Sequence, residues 1–147
     1  MRILHDPSFL AATKVRVAAL KPDARRQWGQ MTLDQMLWHV NSGLENALGR
    51  FPMKPLKMPL PYGVLKFIVF NLPWRRGKTP TSPELVASGR HDFEKERAKL
   101  LALLDEFAAK PLDADWVDSA FLGPMSGRDW TRMQGKHVDH HLQQFGA

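Results

Sequence analysis

The segment Trp130–Phe145, WTRMQGKHVDHHLQQF, places polar side chains on the side of a helix that should face inward. At about 100° per residue with Trp130 at zero, Gln134 falls at about +40°, His137 at about −20°, His141 at about +20° and Phe145 at about +60°. His137 and His141 are four residues apart and so lie one above the other on that face. Val138 falls beside it. An unpartnered buried polar group costs on the order of 1–3 kcal/mol, so this helix needs a neighbour that supplies something to the imidazoles. A metal ion is the simplest such partner, because neutral imidazole is a good ligand. His140 falls at the edge of the face, at about −80°, and Asp139 is expected to point the opposite way, into solvent.

The rest of the chain predicts more helices. Asp6-Pro7 reads as a cap followed by proline at the first helical position, with Leu10, Thr13, Val17 and Leu20 on the inner side. Thr32-Leu-Asp-Gln35 is a capping box, with Met31 and Met36 placed to staple it. The helix it starts runs to about Arg50, with Leu33, Met36, Leu37, Val40, Leu44, Ala47 and Leu48 in a stripe of period about 3.6. His39 lies at the edge of that stripe, flanked by Gln35, Gly43 and Asn46. Asp92 caps a helix ending near Lys110-Pro111, with Phe93, Leu100, Leu101, Leu104, Phe107 and Ala108 inward. Arg97 falls within this stripe and should snorkel to the rim rather than reach a buried carboxylate. Ser126 caps the last helix.

Residues 51–88 are rich in proline, with a short helix expected over Tyr62–Leu72 and turns at Pro73–Gly77 and Thr79–Pro83. A connection this long often borders a site. Its apolar segment Val64–Leu72 should cover either the site or a partner. The expected architecture is all-α: a single domain over residues 1–147, built as a four-helix bundle with a long proline-rich connection carrying a short extra helix.

Composition narrows the function classes. At 44% hydrophobic and 24% charged, the chain reads as folded. It has no cysteine, so a metal site must use nitrogen and oxygen ligands. The N-terminus lacks the pattern of a signal peptide, and the longest apolar stretch is far short of the roughly 20 residues that span a bilayer. These features predict a cytoplasmic protein with no membrane partner. The net charge is +6, but the basic residues are scattered and no helix carries a basic stripe interleaved with aromatics, so nucleic acid is not expected as a partner. His5 and His91 read as solvated loop or cap residues.

His39, on another helix, can meet His137 and His141 across a bundle. Three imidazoles suit Zn²⁺ with an open position, or Ni²⁺ or Fe²⁺ with more than one. Gln134 and Asn46 are candidates to orient a ligand or substrate. Glu45 and Asp139 are expected to point outward, so no carboxylate stands on the inner face as a general base.

Met31–His39 (MTLDQMLWH) and Lys136–Gly146 (KHVDHHLQQFG) together resemble the DinB/YfiT-like superfamily. Within it the chain is similar to a bacterial subfamily defined by a domain of unknown function, and Pro73–Gly77, Asp92–Arg97 and Phe121–Gly127 share the likeness. The resemblance implies a four-helix bundle, often dimeric, whose metal is held by His39, His137 and His141, with His140 as an additional neighbour. It implies nickel, zinc or iron as the divalent ion. The implied activity is metal-dependent hydrolysis or thiol-dependent transfer acting on a small molecule, with a low-molecular-weight thiol as the second reactant. The alternative is a non-catalytic binding module on the same bundle.

Overall fold

A computed structural model describes residues 2–78 and 81–147. Five α-helices form: α1 (Pro7–Ala18), α2 (Leu33–Ala47), α3 (Tyr62–Asn71), α4 (Phe93–Ala109) and α5 (Gly127–Gln144), with a 3₁₀ turn at Pro83–Leu85. No strand occurs among the described residues. Thr79 and Pro80, part of an expected turn, lie outside them.

The helices begin at the expected caps. Asp6 accepts from the Phe9 N–H at 2.9 Å and Asp92 from the Lys95 N–H at 2.9 Å. Gln35 Oε1 accepts from the Thr32 N–H at 3.0 Å. Ser126 and Asp129 form a reciprocal box, each side chain accepting from the other's N–H at 3.1 Å. Each cap satisfies N–H groups that the first turn leaves without partners. α1 and α2 end two to three residues earlier than their apolar periodicity suggests; from the turns that follow, Leu20 joins the core and Leu48, partly buried, packs against it.

α1, α4, α2 and α5 pack in a closed ring of neighbours, and α3 lies on α5. Leu4, Val17, Met36, Leu37, Val40, Leu44, Leu100, Leu104, Phe107, Val138 and Leu142 form the fully buried core. Burying each of these side chains contributes about 1.5–3 kcal/mol. Arg97 reaches the rim, where it donates to the Leu20 carbonyl at 2.8 Å and to Glu94 at 2.7 Å.

Three expectations of solvent exposure are overturned, at Asp139, His5 and His91. Asp139 is buried, ion-paired with Arg16 at 2.7 Å and with Arg2. The chain at Arg2 crosses α5 at Gly135, where a Cβ would lie 2.2 Å from the Arg2 carbonyl oxygen. A helical wheel gives the direction of Asp139 but not what covers that direction. His5 is half-buried against Phe107 and Trp116, with Nε2 donating to the Lys110 carbonyl at 2.8 Å and Nδ1 2.9 Å from Thr131 Oγ1. His91 is likewise half-buried and stacks on Trp38.

Candidate metal centre

α2 carries His39, and α5 carries His137 and His141. Their ring centroids are 4.8–4.9 Å apart, and one ligating nitrogen from each lies within 4.8 Å of the others. Among the described residues this group of three could hold a metal ion. All three are buried, at 4%, 7% and 8% exposure.

Loops set the ring orientations. His39 Nδ1 donates to the Leu85 carbonyl at 2.7 Å, which leaves Nε2 with its lone pair free. Leu85 belongs to the 3₁₀ turn, so the long connection reaches back to aim a ring on α2. His141 Nδ1 donates to Gln144 Oε1 at 2.8 Å, and Gln144 Nε2 donates in turn to the Trp28 carbonyl at 3.0 Å. Such partners fix tautomer and orientation in ligating histidines.

His137 differs. Its Nε2 is 2.9 Å from His39 Nε2, while its Nδ1 is buried without a partner. Since His39 Nε2 carries a lone pair, His137 Nε2 either donates to it or shares an ion with it. The second arrangement moves the His137 proton to Nδ1. Gln134 Oε1, also buried and without a partner, is then at hand to accept it. Both atoms face Gly43: a Cβ there would stand 3.3 Å from His137 Nδ1 and 3.5 Å from Gln134 Oε1. The glycine lets α2 and α5 approach closely enough for the rings to converge. Three neutral imidazoles suit a divalent ion, but nitrogens up to 4.8 Å apart exceed the roughly 4.2 Å that two ligands at the usual distance of about 2.1 Å can span, so the rings must draw in to hold one.

Burial holds all three imidazoles neutral. Desolvation lowers the pKa of His39; desolvation and the neighbouring His141 and His39 rings lower that of His137 well below its usual range. Desolvation brings His141 down to about 3. Neutral nitrogen is the state a metal requires.

The histidines line a cavity of about 1000 Å³ whose wall also includes Trp28, Met58, Leu65, Trp74, Phe121 and Met133. No Asp or Glu lines it. His140 lies at its side, half-buried, with its ring 5.6 Å from Trp28, 5.4 Å from Trp74 and 5.1 Å from His141. Gln134 donates to the Gly43 carbonyl at 3.3 Å. Asn46 donates to the Phe51 carbonyl at 2.7 Å and contributes to the cavity wall. Gln144, Leu85 and Trp28 were not expected at the site. Only Gln144 left a signal in the sequence, its spacing of three from His141.

A helical bundle with three converging imidazoles at an apolar cavity is the class that fold and site define. A family model for the DinB superfamily matches residues 13–145, and the chain belongs to that superfamily. Searches among curated proteins and among solved structures gave no match. Among the described residues no helix is long and apolar enough to cross a membrane.

Proposed function

We propose that His39, His137 and His141 hold a divalent ion, zinc, nickel or iron, and that the protein is a metal-dependent enzyme acting on a largely apolar small molecule. The observation that carries this reading is the convergence of three neutral imidazoles, one aimed by the Leu85 carbonyl and one by the Gln144 amide, at the wall of a large apolar cavity. A divalent ion there supplies Lewis acidity, useful both to hydrolysis and to thiol transfer.

The acid-free wall favours thiol-dependent transfer over hydrolysis, because a hydrolase ordinarily places a carboxylate base at its water. His140 is the proton acceptor in this reading. It stands beside His141 outside the ligand group, and burial keeps it below its usual pKa. Trp28 and Trp74 hold its ring in place. Gln134 Oε1, unpaired on the same Gly43-facing side as His137 Nδ1, is the acceptor for that nitrogen's proton when the ion is bound, and Asn46 lines the cavity wall as a substrate contact. The homodimer implied by the resemblance belongs to the same proposal.

The test supplies metal-loaded protein with an apolar electrophile, with and without a low-molecular-weight thiol. Thiol-dependent turnover is expected. In the variant His140→Gln it falls about 10²-fold or more, with metal content unchanged. Turnover without thiol would instead identify a hydrolase.

The 2.9 Å approach of His137 Nε2 to His39 Nε2 favours a second reading, because a direct hydrogen bond pairs these two nitrogens without an ion. The bundle is then a binding module. Absence of both metal uptake and turnover would establish it.

A further inference from the structure

The formal charge of the chain is not spread evenly. Of its 21 Lys and Arg, six (Lys54, Lys57, Lys66, Arg75, Arg76 and Lys78) fall in residues 51–78, which contain no Asp or Glu. The other 15 equal the 15 acidic residues, so this one segment carries the whole net charge of +6. The basic residues taken alone look scattered; the gap in the acidic ones is what concentrates the charge.

The same segment carries most of the exposed apolar surface. Among the described residues nine large hydrophobic side chains are exposed, and six of them are Leu60, Tyr62, Val64, Phe67, Ile68 and Leu72. On α3, Val64, Phe67 and Ile68 fall within a stripe about 100° wide. Leu65 and Val69 face the other way, towards the bundle. α3 therefore has two apolar faces, and only one is covered. Phe67, 62% exposed, is the most exposed side chain of the open one. A compact apolar patch on a folded surface marks an interaction site.

We infer that α3 lies on an anionic lipid surface, with its outward stripe among the acyl chains and the flanking cations at the headgroups. The charge distribution selects this occupant. Lys54 and Lys57 precede the helix and Arg75, Arg76 and Lys78 follow it, so cations with no acidic residue among them bracket the apolar stripe along the chain. Lys66 turns to the opposite side, where it meets Asp129 and the Pro124 carbonyl. An isologous dimer through this face would set the five flanking cations of one copy against the same five of the other. A segment too short to span a membrane can still lie on one. Ile68 and Leu72 belong both to the exposed surface and to the cavity wall, so a docked bilayer lies against the cavity.

Co-sedimentation of the full chain with vesicles tests this. Binding is expected to phosphatidylcholine vesicles containing phosphatidylglycerol, to be at least tenfold weaker to pure phosphatidylcholine, and to fall with added salt. Phe67→Glu should weaken binding at least tenfold with unchanged circular dichroism. The double variant Lys54→Gln/Lys57→Gln, remote from the apolar stripe, should weaken it severalfold. Equal failure to bind either vesicle overturns the inference. So does loss of binding in the charge variant with none in Phe67→Glu, which would mark a simple polycation, suited to nucleic acid as much as to lipid. Sedimentation velocity showing a dimer that Phe67→Glu splits, with no vesicle binding, assigns the face to a second copy instead.

Discussion

α4 and α5 are almost equal in length, 17 and 18 residues, and each turns one face into the bundle. α4 buries Leu100, Leu103, Leu104 and Phe107. α5 buries Gln134, His137, His141 and Gln144 alongside Trp130, Val138 and Leu142. The first face stabilises by removing apolar surface from water. The second gives up part of that stabilisation and places polar atoms whose needs must be met by neighbours. They are met by the Gly43 carbonyl of α2, the Trp28 carbonyl, the Gln144 amide and His39, and two are left open, His137 Nδ1 and Gln134 Oε1. Packing and chemistry are thus divided between two helices of the same bundle, and variants of each should fail in different ways.

The largest effect is expected from the packing helix. Phe107→Ala removes a fully buried ring and should cost about 3–5 kcal/mol of stability. Denaturant titration measures this, and the folded fraction should still take up metal normally. A parallel loss of metal affinity in folded protein would break the separation between the two helices.

A smaller effect is expected from Gln144→Ala on α5. It removes the acceptor of His141 Nδ1 and the link to the Trp28 carbonyl. Metal affinity should fall about tenfold, equivalent to about 1.4 kcal/mol, with helicity kept. Unchanged affinity would mean that the loop carbonyls do not aim the ring.

The smallest effect is in the pH dependence of the metal-free protein. Desolvation lowers His141 from 6.5 to about 3. As pH falls through 6.5 the unfolded chain takes up this proton and the folded chain does not, so stability declines across the window from 6.5 to about 3. Between about pH 6.5 and about pH 5.5 His141 alone should remove roughly 1 kcal/mol. The apolar face of α4 has no titratable group and adds no such slope. Replacing His141 with Ala should flatten the decline; an unaltered decline would assign it to other groups.

How much of this was readable in the chain follows the same division. The caps at Asp6, Thr32, Asp92 and Ser126 are local chemistry, and the helices start where they stand. The spacing of His137 and His141, and the edge position of His39, are also local, and the three rings converge. The carbonyls of Leu85 and Trp28 were not readable, because they come from aperiodic loops whose path depends on tertiary packing. The burial of Asp139 and His5 was missed for a related reason. The N-terminal segment, which covers Asp139 and carries His5 onto Phe107 and Trp116, has no periodicity to announce where it lies. Gly43 could be placed beside the stripe of α2, but its role as the point of close approach to α5 depends on both helices at once.

Calorimetric titration of Zn²⁺ and Ni²⁺ into tag-free, metal-stripped protein tests the three-histidine site most directly. One ion per chain should bind with Kd of about 1 μM or tighter, and each of His39→Ala, His137→Ala and His141→Ala should weaken binding about 100-fold or more while helicity is retained. Absence of binding by the natural chain, or full affinity in all three variants, would contradict it.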